Sequence, residues 1–217
     1  MGGNILKKIS AIRVHIWDFD GTFYKPNPEL FHAVREAEYR TIMERNTWSH
    51  ERAVSEFYKR RTPSATQTVA NICGIKITEA AQQMESYFDR RDYVFKDEKL
   101  IDMFQRLKNF THYILANGTR KRLEETLIVL GIPVNTFVEI LTSERVGENK
   151  PSEKGFRHIL SKTGLPAAAH MMIGDREAVD LIPAKALGMH TCLVWSDTKS
   201  KIADVTLSSV YEVPTLW

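Results

Sequence analysis

The chain has 217 residues, 43% of them apolar and 26% charged, which is typical of one globular domain or of a core domain with a small insert. Its 30 basic and 27 acidic residues give a net charge of +3 and are mixed along the chain, which argues against a nucleic-acid-binding surface. No stretch approaches the ~18 apolar residues of a membrane span, and no signal-peptide pattern is found. We therefore expect a cytoplasmic protein that binds neither membrane nor nucleic acid.

Short runs rich in β-branched residues alternate with segments of helical periodicity. The first run, residues 12–17, ends abruptly in Asp-Phe-Asp-Gly-Thr, where Gly21 signals a turn. Further strands are predicted at residues 111–116, 137–141, 170–173 and 190–194, and helices at 97–109, 119–130, 152–162 and 177–187. This alternation predicts an α/β fold, a Rossmann-like parallel sheet with helices on both faces.

The connection between the first two predicted strands is unusually long. It spans about 90 residues, whereas a whole βαβ unit needs roughly 30. The excess has helical character at residues 29–44, 49–60, 63–73 (with Thr62 as N-cap) and 78–90. We predict a core domain at residues 1–24 and 94–217 and an inserted all-helical cap domain at 25–93, hinged at 24–27 and 92–96. Its place directly after the first strand favours a lid over a structural decoration.

Polar residues follow the ends of four predicted strands. Because ligands bind at the carboxyl ends of the strands in such sheets, these residues are expected to converge. In chain order they are Asp18 and Asp20, then Asn117, Gly118 and Thr119, then Lys150, then Asp175 and Asp180. Oxygen ligands suit Mg²⁺, and a lysine suits phosphoryl oxygens. The set therefore predicts a site for a divalent cation and a phosphate.

The spacing of Asp18 and Asp20 suggests a division of labour. Two residues apart on an extended strand, both carboxylates face the same side. A carboxylate nucleophile is already ionised at neutral pH and needs only a cation to approach an anionic phosphate. A protonated Asp20 can then give its proton to the leaving group and later take one from water.

Four segments in this order resemble the motifs of the haloacid dehalogenase superfamily. They are DFDGT from Asp18, the Asn-Gly turn at Asn117, the pair Lys150-Pro151, and GDREAVD from Gly174. Residues 203–214 are similar to the closing segment of that fold. The resemblance covers the core from about residue 12 to residue 217 and matches the insert only in position and helical character. It implies the phosphatase branch with a helical cap of the C1 type.

The resemblance also implies a role for each residue. The implied activity is Mg²⁺-dependent hydrolysis of a small soluble phosphomonoester through an aspartyl-phosphate. The implied roles are as follows: Asp18 as nucleophile and metal ligand, Asp20 as acid/base and as metal ligand through its carbonyl, Lys150 on the phosphate, Asp175 on the metal, Asp180 supporting the metal site, Thr22 orienting Asp20, and Asn117 and Gly118 donating N–H groups to the phosphate. Asp180 equally suits a first-turn acidic residue favoured by the helix dipole.

One position departs from the family pattern. Ala116 stands where a Ser or Thr normally precedes the Asn-Gly turn, so one hydroxyl donor to the phosphate is missing. Such a loss costs about 1–3 kcal/mol, or roughly five- to a hundred-fold in rate. Thr119 is close enough in sequence to serve as a substitute.

Three other functions are compatible with the fold. A phosphoryl mutase of the same family would need its intermediate to survive water. A non-catalytic phosphate-binding or regulatory protein is motivated by Ala116, but a pure binding module has no need of a nucleophile beside an acid. Dehalogenation is disfavoured, because a halide leaves without an acid at Asp20 or a metal at Asp175. Some basic residues of the insert either bind a second anionic group of the substrate or are solvated. They are Lys25, Arg60 and Arg61.

Overall fold

Residues 10–25 and 27–217 are described by the computed structural model, and within them six strands form one parallel sheet. In chain order the strands are β1 (Val14–Trp17), β2 (Thr111–Leu115), β3 (Glu139–Leu141), β4 (His170–Gly174), β5 (His190–Leu193) and β6 (Val205–Thr206). Their spatial order is β3-β2-β1-β4-β5-β6, and every neighbouring pair is parallel. The predicted α/β class is confirmed, and β1 lies at the centre of the sheet.

The helices follow the strands and fill the long connection after β1. The α-helices are α1 (Pro28–Asn46), α2 (His50–Lys59), α3 (Ala65–Cys73), α4 (Ile77–Glu85), α5 (Glu98–Arg106), α6 (Arg120–Leu130), α7 (Ser143–Val146), α8 (Lys154–Thr163) and α9 (Ile182–Ala186). Short 3₁₀ turns lie at Arg90–Asp92, Val134–Thr136, Ala167–Ala169 and Val210–Leu216, and a π-helical turn lies at Glu177–Leu181. Across the described ranges, no helix has the length and apolar character needed to cross a bilayer.

Both faces of the sheet are covered by helices. Successive residues of β1 point to opposite faces, so that Ile16 packs in one buried cluster with Phe156 of α8. Trp17 packs in the other with Phe104 of α5. Burial on both faces explains why the strands are short apolar runs without polar alternation.

The helices α1–α4 pack around a hydrophobic cluster of their own. Ile42, Phe57, Val69 and Ala80, one from each helix, are completely buried in it. We call residues 27–93 the helical insert. The boundaries predicted for the cap domain stay a prediction, and residues 1–9 of the predicted core domain and Pro26 of the predicted hinge lie outside the described residues.

The predicted N-cap of α3 is wrong. Ser64, not Thr62, caps this helix by accepting a hydrogen bond from the backbone N–H of Gln67. The sequence Ser-x-x-Gln is a capping-box pattern, so the cap was present two residues further along. The Thr62 hydroxyl instead donates to the carbonyl of Ser64 at 2.7 Å.

The helix predicted at residues 177–187 is two elements. A π-helical turn ends at Leu181, and α9 begins at Ile182. The backbone stays helical across this point, and Pro183, which has no N–H to donate to the preceding turn, lies where the hydrogen-bond pattern changes. The helix predicted at 78–90 ends at Glu85, and β6, a two-residue edge strand, was not predicted.

Candidate active site

The carboxylate of Asp18 is buried at the end of β1 and contacts a lysine from another loop. Its backbone N–H donates to Ile173 of β4 at 2.9 Å, which continues the sheet pairing to the first site residue. Lys150 Nζ lies 2.6 Å from Asp18 Oδ1 and 2.7 Å from Asp180 Oδ1. All three side chains are at most 3% exposed. Three charges carried by loops after β1, β3 and β4 therefore meet in one buried group.

Asp18 and Lys150 hold each other in their charged forms. Burial by itself would raise the pKa of Asp18, but the positive charges of Lys150 and Arg176 lower it below its usual value. Burial likewise works against the ammonium, yet the two carboxylates beside it raise the pKa of Lys150. Asp18 is thus an ionised carboxylate in a low-dielectric setting.

A group of three carboxylates is arranged so that it can hold a cation. Oxygen atoms of Asp18, Asp175 and Asp180 all lie within 4.8 Å of one another. Burial and the charge of Asp18 raise the pKa of Asp175 to about 8. Asp175 Oδ1 is buried and accepts no hydrogen bond from a described residue. A hard divalent cation, which takes oxygen ligands, fits this group and would relieve the repulsion.

Two glycines allow these carboxylates to approach the backbone. A Cβ on Gly21, whose φ is 85°, would lie 2.5 Å from Asp175 Oδ2. A Cβ on Gly174 would lie 2.8 Å from Asp180 Cβ. Both positions therefore require glycine for close contact.

Thr22 contacts the nucleophile candidate rather than its neighbour. Its hydroxyl donates to Asp18 Oδ2 at 3.2 Å, whereas the sequence analysis assigned it to Asp20. This expectation is corrected by geometry: the chain turns between Asp18 and Thr22, as the Thr22 N–H bond to the Phe19 carbonyl shows. A side chain four residues along such a turn returns to Asp18.

Asp20 is bound by an arginine that the sequence analysis missed. Arg90 Nε lies 2.8 Å from Asp20 Oδ1, and Arg90 Nη2 lies 3.1 Å from Asp20 Oδ2. The hydroxyl of Tyr24 donates to the same carboxylate. Arg90 Nη1 also lies 2.9 Å from Glu85 Oε1, so the guanidinium joins a carboxylate of the core to one of the helical insert. Because Arg90 is 70 residues from Asp20, no local motif pointed to it.

Glu85, the last residue of α4, packs against the loop after β2. It accepts a hydrogen bond from the backbone N–H of Thr119 at 3.2 Å and another from the Thr119 hydroxyl. A Cβ on Gly118 would lie 3.0 Å from Glu85 Oε1. An insert carboxylate thus occupies a backbone donor in the loop predicted to bind phosphate, and the hydroxyl expected to compensate for Ala116 is bound to Glu85.

The Asn117 side chain joins two loops of the site. Its Nδ2 donates to the Lys150 carbonyl at 3.1 Å, and its Oδ1 accepts from the Lys150 N–H at 2.9 Å. The side-chain amide therefore positions Lys150. A second missed residue is Arg176, whose buried Nε has no hydrogen-bond partner in the described structure. Its position beside Asp175 in the sequence was the available signal.

A cavity of about 250 Å³ separates the helical insert from the strand ends. Asp20, Asn117, Gly118, Asp175 and Arg176 line it on the core side. The opposite wall comes from α1, α3, α4 and the segment after α4. Four of the predicted site residues and the insert therefore enclose one space of metabolite size, whereas Asp18 and Lys150 are not among its lining residues.

The fold and the site define a class of α/β proteins with a carboxylate-rich centre at the strand ends and a helical insert above it. A family model of haloacid dehalogenase-like hydrolases matches residues 12–188, and the chain belongs to this family. The family membership implied by the four sequence motifs is thus confirmed.

Relatives by sequence include two kinds of protein. The glyceraldehyde 3-phosphate phosphatase of Methanocaldococcus jannaschii is 33% identical over 105 residues, which cover 46% of each chain. The mouse haloacid dehalogenase-like hydrolase domain-containing protein 3 is 38% identical over 81 residues, 37% of this chain and 32% of the relative. The matches thus span less than half of the length of these relatives.

Solved structures extend the likeness over nearly the whole chain. A HAD phosphatase from Thermococcus onnurineus has a TM-score of 0.67 and 19% identity, over 94% of this chain and 97% of that one. A 2-haloacid dehalogenase from Pseudomonas syringae has a TM-score of 0.61, also with 19% identity and with the same shares covered. Since these proteins are named for different chemistries, the likeness identifies the fold alone.

Proposed function

We propose that the chain is a Mg²⁺-dependent phosphatase that hydrolyses a small phosphomonoester through an aspartyl-phosphate on Asp18. The observation that carries the proposal is the buried ion pair of Asp18 and Lys150 beside two further carboxylates. A nucleophile needs an ionised oxygen, and Lys150 supplies both a counter-charge for Asp18 and a cation for phosphoryl oxygens.

The residues divide the work as follows. Asp18, oriented by Thr22 and Lys150, attacks phosphorus, and the bond from phosphorus to the ester oxygen breaks. Asp20 gives its proton to that oxygen and then takes one from the water that hydrolyses the phospho-aspartate. Asp18 and Asp175, with Asp180 near them, would hold Mg²⁺, which when bound would supply positive charge that lowers the repulsion between nucleophile and phosphate.

Arg90 and Tyr24 position Asp20 in this scheme. Both donate to its carboxylate. Contact between Asp20 and a leaving group therefore requires that substrate and the helical insert rearrange these hydrogen bonds. The insert acts as a lid whose closure excludes water from the cavity.

The comparisons support a small phosphorylated metabolite as substrate. Two of the sequence relatives carry the name glyceraldehyde 3-phosphate phosphatase. A cavity of about 250 Å³ suits an organic group of a few carbon atoms better than a nucleotide. We expect the protein to encounter such a metabolite in the cytoplasm.

The test is phosphate release from p-nitrophenyl phosphate and from a panel of sugar phosphates, three-carbon phosphates, phosphoglycolate and nucleotides. We expect release with Mg²⁺ and none with EDTA or with Asp18→Asn, which keeps the shape of the side chain but removes the nucleophilic charge. Unchanged turnover by Asp18→Asn would contradict the mechanism. No release from any ester would favour the mutase or the non-catalytic alternative.

A further inference from the structure

The cavity has a second polar end, away from the carboxylates of the core. Arg35 and Glu38, both on α1, line the same cavity as Asp20 and Asp175. Glu38 is only 2% exposed, which is rare for a glutamate unless a partner satisfies it. Neither residue belongs to any of the four motifs that carry the family resemblance.

One oxygen of Glu38 has a partner, and the other has none. Arg35 Nη1 lies 2.5 Å from Glu38 Oε2, whereas Glu38 Oε1 accepts no hydrogen bond from any residue that the structure describes. The Arg35 guanidinium is held by two rings, with its Cζ 5.3 Å from the Phe31 centroid and 5.1 Å from that of Phe57. A carboxylate on a residue this little exposed has little access to water, so a donor from a ligand would stabilise its free oxygen.

The charge at this end differs from the charge at the phosphate end. Arg90 and Arg176 lie near the core carboxylates, where an anionic phosphate is expected. On the insert side the charge of Arg35 is paired with Glu38, and the positive charge of Arg61 also acts on Glu38. The cavity is lined there by apolar residues, Leu30, Phe31, Val34, Ala81, Met84 and Phe88, and by the polar residues Ser64 and Thr66. The insert thus offers a hydrogen-bond acceptor, and Arg35, the cation that lines the cavity beside it, is already paired.

We propose that Glu38, oriented by Arg35, accepts a hydrogen bond from a hydroxyl on the organic part of the substrate. Glu38 would thereby select hydroxylated phosphomonoesters over esters whose organic part ends in a second anion. A hydroxyl donates a hydrogen bond to the free oxygen of Glu38. A carboxylate or a second phosphate has no proton to donate and is repelled by the charge of Glu38. The inference rests on the proposed phosphatase function and specifies the substrate class of that site.

Three esters of equal carbon number test the selection in the native protein at pH 8, where the Glu38 carboxylate is ionised because burial raises its pKa only to about 7. Glycerol 3-phosphate carries two hydroxyls, 3-phosphoglycerate carries one hydroxyl and a terminal carboxylate, and propyl phosphate carries neither group. We expect kcat/KM to be about ten-fold higher for glycerol 3-phosphate than for propyl phosphate, which is the worth of one hydrogen bond to a charged group. We expect 3-phosphoglycerate to be the poorest substrate. A native preference for 3-phosphoglycerate over glycerol 3-phosphate would overturn the proposal without any variant.

Glu38→Gln gives the sharper test. Its amide oxygen must accept from Arg35, so its NH₂ group faces the cavity and a donor replaces an acceptor. We expect kcat/KM to fall about ten-fold for glycerol 3-phosphate, to rise for 3-phosphoglycerate and to stay within two-fold for propyl phosphate. Glu36→Gln on the same helix, which is exposed and does not line the cavity, is the matched control and should change none of the three.

The outcomes separate the inference from the proposed function. Equal losses for all three esters in Glu38→Gln, or none, would overturn the role of Glu38 while the phosphatase function stands. Absence of turnover of every ester by the native protein would overturn both. If Glu38→Gln does not fold, the ranking of the three esters by the native protein decides.

Discussion

Lys150 is the residue on which the buried charges of the site depend. It is 2% exposed and contacts both Asp18 and Asp180. Without the Lys150 charge, the carboxylates of Asp18 and Asp180 would remain buried with no lysine to neutralise them. Removal of one partner from a buried ion pair costs far more than the pair contributes.

Lys150→Met should therefore be strongly destabilising. We expect the free energy of unfolding in urea, measured in EDTA, to fall by about 3–5 kcal/mol. Lys154→Met is the control, because the Lys154 side chain is 59% exposed and its loss should change stability by no more than about 0.5 kcal/mol. Similar stabilities of the two variants would show that Lys150 is not needed to hold the carboxylates.

Glu38 should make stability depend on pH. Burial raises its pKa to about 7 from 4.5, although Arg35 and Arg61 oppose the shift. The folded state then binds more protons than the unfolded state between these values, so stability should fall as pH rises from about 4.5 to 7. The full shift corresponds to about 3 kcal/mol. The measurement is the free energy of unfolding in urea at pH values from 5 to 8. We expect its decrease with pH to be smaller by this amount in Glu38→Gln and unchanged in Glu36→Gln. A decrease of native size in Glu38→Gln would contradict the assignment to Glu38.

The missing hydroxyl at Ala116 gives a prediction of increased activity. Thr119 can supply a hydroxyl only after leaving Glu85, so its role as a substitute stays a prediction. We expect Ala116→Ser to raise kcat/KM for p-nitrophenyl phosphate, by up to roughly five- to a hundred-fold. Ala116→Gly, which adds no hydroxyl, is the control. Equal activity of Ala116→Ser and the native protein would show that the phosphate lacks no donor.

At the scale of elements, the helical insert is joined to the core by charged contacts. Glu85 at the end of α4 binds Thr119 of the core, and Arg90 binds Asp20. Both insert residues are less than 10% exposed. Because the Arg90 and Glu85 side chains are both shielded from water, breaking their ion pair costs more than breaking a surface pair.

Arg90→Gln should loosen the insert. The change removes the bidentate contact with Asp20 and leaves Glu85 buried without its cation, so we expect faster hydrogen exchange in the peptide that contains the Thr119 amide. Arg91→Gln is the matched control, since Arg91 is exposed and pairs with Asp89 on the surface. Equal exchange in the two variants would mean that Arg90 does not hold the insert closed.

At the scale of the whole molecule, cation binding and folding should be linked. The group formed by Asp18, Asp175 and Asp180 exists only when the loops after β1 and β4 are folded together. A ligand that binds only the folded state stabilises it by about 2.7 kcal/mol at 100 times its Kd.

Mg²⁺ should therefore raise the Tm of the EDTA-treated protein. We expect Asp175→Asn to lose most of this shift, because it removes a charged ligand atom. Asp102→Asn, an exposed change on α5, should keep it. A shift of equal size in both variants would place Mg²⁺ elsewhere on the protein.

The sequence alone predicted the α/β class and the segments that carry the site. Buried parallel strands are continuous apolar runs, and the residues just after them meet at one edge of the sheet. The positions of Asp18, Lys150 and Asp175 were therefore readable from local pattern.

Only the tertiary structure decided which side chains are partners. Arg90, Glu85 and Thr22 have the contacts they do because of how the insert packs on the core and how the chain turns after β1. Such pairing depends on three-dimensional distance between residues far apart in sequence, and local periodicity contains no information about it. The same holds for Glu38: its place on a helix is a local property, but its burial beside a cavity shared with Asp175 arises only when the insert packs against the strand ends.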